Sequence, residues 1–478
     1  MRRFTDLDRL HDQVLITNDL GEFVIAHASV KRLLQDGLLS PRHARFADLE
    51  ARGLLHAEGP QGGLAAIAKR TRKAFLREGP SLHIFVVTLR CDHSCQYCQV
   101  SRAALNASGK DMSRDHARAA IDRVMESDAP ALTVEFQGGE PSLRFDLVRE
   151  IVEEIELRRS HTQRPIRFTM ATTLHLLNVE DLEFCRDHDI HLSTSLDGPE
   201  HIHSQQRALP TRDSWKRTIE GLERARSVLG QNGVAALPTI TRAALACPEA
   251  IVDTYVEHGF SSIFLRPLAP YGFARKTRAA LGYSVSEFMP FYERALRHIL
   301  TLNVKGVRIE ETMAAIMLRH IFTPFHSGYM DLRSPAGAGL GTLVYNYDGS
   351  VYPSDEARMA AETGDGRFKL GGVNDTLDAL LSSDAMKWLA QGAIAEILPD
   401  CSECAFVPYC GADPVHHAIV HGDPAAARLG TDFCDRHMSL FQLLFAKIAE
   451  REPDSMKTFL SWALSADRTD VKPGWIEQ

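Results

Sequence analysis

The sequence predicts an α/β protein built on a parallel sheet, open or closed into a barrel. Two observations predict it. From about residue 83 to 268, short runs rich in β-branched and aromatic residues recur, separated by stretches with helical apolar spacing. Repeated strand–helix units of this kind imply parallel pairing. The chemically unusual residues also fall just beyond the ends of these runs, which is where parallel α/β sheets carry their chemistry.

The strands are expected at residues 83–89, 132–137, 166–171, 190–195, 234–240 and 262–266. Between the second and third, residues 143–157 place Phe145, Leu147, Val148, Ile151, Val152 and Ile155 on one helical face. After the first strand come Cys91, Cys95 and Cys98, and after the second Gly138-Gly139-Glu140-Pro141. Thr172-Thr173 follows the third, Ser195-Leu196-Asp197-Gly198-Pro199 the fourth, and Arg266-Pro267-Leu268 the sixth. Each motif alone reads as a turn or a surface charge; five at one rim of one sheet do not.

The cysteine run T-L-R-C-D-H-S-C-Q-Y-C-Q is the most specific of them. A cuboidal iron–sulfur cluster has four irons, and thiolates are its usual protein ligands. Three thiolates without a local fourth leave one iron open to a substrate or cofactor. A partial zinc site or scattered core thiols is the alternative. Gly138 and Gly139 suit a backbone that approaches a ligand with no Cβ in the way.

The chain has 478 residues, 44% hydrophobic and 24% charged, the composition of an ordinary globular protein with one large domain and smaller ones. Its net charge of −8 argues against nucleic acid as a partner. No apolar run approaches the ~20 residues of a membrane span, and the N-terminus lacks the apolar core of a secretory signal. Neither a membrane nor export is expected, and a cytoplasmic location follows by default. Seven of the nine cysteines fall into two clusters, which in a reducing compartment read as metal sites before disulfides. Cys185 and Cys247 stand alone, as buried small hydrophobes.

C-x3-C-x2-C is also the signature of the radical S-adenosylmethionine (SAM) superfamily, and residues from about 80 to 300 resemble its partial barrel of six strands, a (β/α)6 unit expected to span 79–320. The resemblance implies that Cys91, Cys95 and Cys98 hold a 4Fe-4S cluster whose open iron binds SAM, with Tyr97 at the adenine. It implies contacts from Gly138, Gly139 and Glu140 to the methionyl ammonium, and from Ser195 and Asp197 to the ribose hydroxyls. Arg207 supplies a fork for the SAM carboxylate, and Arg266 joins the SAM-binding set. The run S-L-D-G-P-E-H-I-H-S-Q-Q-R departs from the family in one place: Ser204 stands where aspartate is common after His203, so the roles of these two stay open.

Near the C-terminus, C-S-E-C-A-F-V-P-Y-C-G-A-D-P supplies Cys401, Cys404 and Cys410, with Cys434 further on. By spacing alone this set holds zinc or a fully ligated iron–sulfur cluster. It resembles the SPASM extension of peptide-modifying radical SAM enzymes, here residues 321–478. The family's two auxiliary clusters are unequally represented, with Ser354, Pro414 and the Ser334-Pro335-Ala336 stretch where ligands of one are expected. Two 4Fe-4S clusters in total are therefore expected, the auxiliary one serving electron transfer or support. Asp355, after Ser354, lies where some relatives place a catalytic base; otherwise it is a surface aspartate in a turn.

Residues 1–78 form a separate unit. Strands at 12–17 and 22–26 flank Asn18-Asp19-Leu20-Gly21, a hairpin signal, and helices follow at 33–39 and 44–55. The arrangement resembles the peptide-recognition domains of peptide maturases, which add a leader strand to their sheet edge; a structural cap is the alternative. The basic run Lys69-Arg70-Thr71-Arg72-Lys73, with Arg77, steers an acidic leader or is a solvated helix face.

C-D-H-S-C-Q-Y-C-Q-V-S-R, I-F-L-R-P-L-A-P-Y-G-F-A and P-Y-C-G-A-D-P-V together resemble the His-Xaa-Ser system radical SAM maturase, B type. The implied function is modification of a small precursor peptide: a 5′-deoxyadenosyl radical abstracts hydrogen from a side chain, and a cross-link closes. The expected partners are the peptide, an electron donor such as flavodoxin or ferredoxin, and a sister radical SAM enzyme. The rivals are an enzyme like the anaerobic sulfatase maturases, forming formylglycine, and a non-catalytic iron–sulfur or zinc scaffold.

Overall fold

The computed structural model describes residues 2–55, 73–159 and 164–464. A three-stranded antiparallel sheet opens the chain, in the order β1 (Arg2–Asp6), β2 (Gln13–Asn18), β3 (Phe23–His27). The β2–β3 turn is the expected one. Asn18 Oδ1 accepts from the backbone N–H groups of Leu20 and Glu22, and Gly21 closes the turn at a φ of 76°. Helices Ala28–Gln35 and Phe46–Ala51 follow, starting within a few residues of their expected positions, and cover a small core of Val14, Ile16, Val24, Val30, Leu34 and Leu49. Strand β1 was not anticipated, because R-R-F-T-D shows neither a β-branched run nor clean alternation. Residues 69–72 of the basic run lie outside the described residues.

The main sheet has eight strands. Its parallel centre is β4 (Leu82–Thr88), β5 (Leu132–Gly138), β6 (Ile166–Ala171), β7 (Ile190–Ser195) and β8 (Val234–Leu237), each paired with the next. Helices between these strands bury the apolar faces read from sequence. In Phe145–Arg159, all six expected core residues are buried.

The expected sixth strand is instead two short pieces. β9 (Thr239–Ile240) pairs with β11 (Arg266–Pro267), and β10 (Ser262–Ile263) pairs with β12 (Glu310–Glu311). Pro238, between β8 and β9, and Pro267 each lack the N–H that would continue a ladder. On the other edge the sheet gains β13 (Thr342–Tyr345), parallel to β4, then β14 (Ser350–Tyr352) and β15 (Gly371–Gly372), both antiparallel. The segment that the sequence assigns to the C-terminal extension thus completes the barrel sheet.

Helices Asp432–Glu450 and Pro453–Leu464 close the chain's described part. The N-terminal sheet rests on this region: Thr17 Oγ1 donates to the Ala405 carbonyl (2.8 Å) and Tyr409 Oη to that of Gly21 (3.0 Å). Phe23 meets Phe445 edge-to-face at 5.2 Å. No helix among the described residues is long and apolar enough to cross a membrane.

Candidate active site and second thiol cavity

A cavity of about 260 Å³ lies beyond the carboxyl ends of β4 to β8, and Cys91, Cys95 and Cys98 all line it. The loop that carries them is held on both sides by backbone hydrogen bonds. Cys91 N donates to Ala103 O (3.1 Å), Ser94 N to Ala208 O (2.8 Å) and Gln96 N to Gln206 O (3.1 Å). The thiols are free, and burial pushes that of Cys91 up strongly and that of Cys95 up to about 11. Three unpaired thiols on one cavity wall are the donor set for a cluster with one open iron.

Gly138 and Gly139 are also required for a close approach within the protein itself. A Cβ on Gly138, whose φ is 148°, would lie 1.9 Å from the Thr88 carbonyl oxygen, and one on Gly139 2.2 Å from that of Arg90. What approaches these glycines is the start of the cysteine loop; both also line the cavity.

Glu140 is buried at the cavity wall, with both carboxylate oxygens bonded within the protein. Its Oε1 accepts from Thr172 Oγ1 (2.6 Å), Ser142 Oγ and Ser142 N, and its Oε2 from Thr173 N (2.6 Å). The carboxylate therefore joins the ends of β5 and β6. Asp197 is likewise buried and lies off the cavity wall: Oδ2 accepts from Tyr97 Oη (2.6 Å) and Oδ1 from Thr239 N (3.0 Å). In the structure it supports Tyr97 from behind the cavity wall. Arg207 Nη1 donates to the same Tyr97 hydroxyl (2.8 Å) and itself lines the cavity. Burial opposes the Arg207 charge, but Cys95, Tyr97 and Asp197 around it hold the proton on. Ser195 and Arg266 face the cavity as expected.

Asp355 also lines the cavity, its Oδ1 3.0 Å from both Nε and Nη2 of the fully buried Arg358. It is no surface turn aspartate. Glu135 and Gln137, which the sequence reading missed, reach the cavity from β5, with Gln137 Nε2 donating to Glu135 Oε1 at 2.7 Å. The signal was available: in L-T-V-E-F-Q the polar residues recur with period two, on one face of the strand.

Beside Asp355, burial and the nearby Asp331 push Glu356 up to about 7 and Asp413 up to about 8. Ser354 caps the helix Asp355–Glu362, and Ser334 bonds Glu396 and the Ala395 N–H, so two of the expected non-ligand positions have structural roles.

A second cavity, of about 220 Å³, is lined by Cys401, Cys404, Cys410 and Cys434 together with Phe406, Phe433 and Phe441. Burial pushes Cys401 up to about 11, Cys434 up to about 12 and Cys410 well up, and in each case neighbouring thiols add to the shift. Four free thiols around one apolar space fit a closed, four-thiolate centre.

Residues 85–244 match the model of the Radical SAM superfamily. The chain carries a radical SAM domain. Among solved structures, anSMEcpe with bound AdoMet superposes with a TM-score of 0.64 at 18% identity, covering 77% of this chain and 98% of that one. Streptococcus suis SuiB bound to precursor peptide SuiA superposes at 0.53 with 13% identity, covering 90% and 98%. At these identities the likeness is one of fold. An uncharacterized protein of Methanocaldococcus jannaschii is 28% identical over 205 residues, 43% of this chain and 68% of its own. One from Methanothermobacter thermautotrophicus is 27% identical over 195 residues, 40% and 69%. The match supports a radical SAM enzyme that uses SAM and a 4Fe-4S cluster.

Two outcomes follow from this geometry. In Gly139→Ala the new methyl displaces the cysteine loop, so reconstituted protein should lose the SAM-binding cluster; iron analysis and electron paramagnetic resonance (EPR) with and without SAM check this. Glu356 has a folded pKa raised from 4.5 to about 7, so the folded state binds the extra proton and its stability falls as pH rises through that window. Glu356→Gln should flatten the pH dependence of the urea midpoint between those values.

Proposed function

We propose that this enzyme matures a small ribosomally made peptide of the His-Xaa-Ser type, abstracting hydrogen from a side chain and closing a cross-link. The observation that supports the reading is that the cysteine triplet and Asp355 line one cavity, which would put a radical source and a base within reach of one substrate. When bound, the reduced cluster and SAM supply a 5′-deoxyadenosyl radical; orientation and exclusion of water fall to the protein.

In this reading Ser195 takes a ribose hydroxyl and Arg207, steadied by Tyr97, the SAM carboxylate. Asp355, oriented by Arg358, accepts the proton released as the bond closes. The four cysteines of the second cavity would hold an auxiliary 4Fe-4S cluster, which would supply an acceptor for the remaining electron. Cys401, Cys404, Cys410 and Cys434 fill all its ligand positions, so it binds no substrate. The edges of the N-terminal sheet suit a leader strand, and flavodoxin or ferredoxin supplies the electron that starts each turnover. A formylglycine-forming activity draws on the same cavity and the same Asp355, and differs in its product.

The test is anaerobic reconstitution with reductant, SAM and a co-expressed peptide rich in His-x-Ser repeats. About eight irons per chain are expected, with 5′-deoxyadenosine and a peptide lighter by two hydrogens. Cys91→Ala should abolish both products, and Cys434→Ala should spare 5′-deoxyadenosine while losing the cross-link. A peptide aldehyde trapped by hydrazine would favour the formylglycine activity instead. Colourless protein holding only stoichiometric zinc would sink the reading.

A further inference from the structure

The cysteine loop holds a carboxylate that the chemistry above does not use. Asp92 follows the first ligand directly, and its side chain is 10% exposed. Its Oδ1 accepts from His93 Nδ1 at 2.8 Å, and its Oδ2 lies 3.2 Å from His175 Nδ1. The two imidazole rings lie 4.6 Å apart, tilted at 53°. Behind them the contacts continue through two hydroxyls. His93 Nε2 lies 3.0 Å from Ser214 Oγ, which lies 3.2 Å from His203 Nε2. His175 Nε2 lies 3.3 Å from Thr218 Oγ1, and that hydroxyl also reaches His203 Nε2 at 3.3 Å. His203 Nδ1 in turn accepts from the backbone N–H of Asp197, just past the end of β7.

This network gives His203 a role: it ties the cysteine loop to the strand end whose aspartate supports Tyr97. Three buried imidazoles joined to one buried carboxylate are costly where apolar packing would fill the same space. Their position points to what they do. Asp92 Oδ1 lies 3.6 Å from Cys91 Sγ. A negative charge that close to a ligating sulfur disfavours a further electron on the cluster, and charge and hydrogen bonding around the sulfurs are the terms that set such potentials. The two imidazoles beside Asp92 offset part of its charge.

We infer that Asp92, flanked by His93 and His175, is a positioning residue that anchors the cysteine loop and holds the reduction potential of the SAM-binding cluster low. The couple takes up one electron from a low-potential donor and breaks no bond. The inference rests on the radical SAM domain and not on the identity of the peptide, so it survives if the substrate reading fails.

The test is a redox titration of the full-length, anaerobically reconstituted protein, followed on the EPR signal that responds to SAM, with iron and sulfide content as controls. Asp92→Asn should shift the midpoint to a more positive value with iron content unchanged. His175→Phe, which removes an imidazole neighbour and leaves every residue of the loop itself unchanged, should shift it to a more negative one. Opposite shifts are not expected of a merely structural contact. Wild-type potentials in both variants, or shifts of the same sign, would overturn the inference. If Asp92→Asn fails to retain iron, His175→Phe decides alone: a negative shift supports the role, and an unchanged or positive one ends it. Loss of iron from both leaves only a structural anchor and overturns the claim about potential.

Discussion

The site depends on one close approach of backbone to backbone. At the end of β5 the chain passes so near the beginning of the cysteine loop that no Cβ fits between Gly138 and Thr88, or between Gly139 and Arg90. The contact is also a hydrogen-bonded one. Gly139 N donates to Thr88 O and Glu140 N to Arg90 O, each at 2.8 Å. These bonds extend the β4–β5 ladder past a register irregularity between Val86 and Thr88, and so carry the rigidity of a parallel sheet into a loop. From there Glu140 passes the constraint to Thr172 and Thr173 at the end of β6.

Around this fixed loop, buried charge is arranged in layers. Tyr97 stands between Asp197 and Arg207, donating a hydrogen bond to one and accepting from the other, so all three buried side chains are locked together. Such networks specify one arrangement, because every member left unpaired in a dry interior is expensive. Where Glu356 and Asp413 sit near Asp331 beside the cavity, burial and that neighbouring carboxylate push the pKa of Glu356 and of Asp413 upward.

Much of this was legible in sequence, and the exceptions have physical causes. Five strands, the long helix after β5 and both thiol sets show locally, since periodicity and cysteine spacing are short-range signals. The direction in which a turn residue points does not. S-L-D-G-P announces a strand end but says nothing about whether Asp197 faces a ligand or Tyr97, which lies 100 residues away. G-G-E-P likewise gives no hint that its glycines accommodate the cysteine loop. Strand β13 was missed because T-L-V-Y is too short to stand out, and its partner β4 lies some 260 residues upstream. The sixth strand was overestimated because apolar composition outweighed the proline that interrupts its neighbour and the one that ends it.

The central claim is that the two thiol sets differ in kind: three cysteines hold a cluster with an open iron for SAM, and four hold a closed one. EPR of the dithionite-reduced, reconstituted protein, recorded with and without SAM, tests it most directly. The account predicts two cluster signals, of which SAM perturbs only the one lost in Cys91→Ala. A single signal indifferent to SAM, or two signals that both respond, would contradict it.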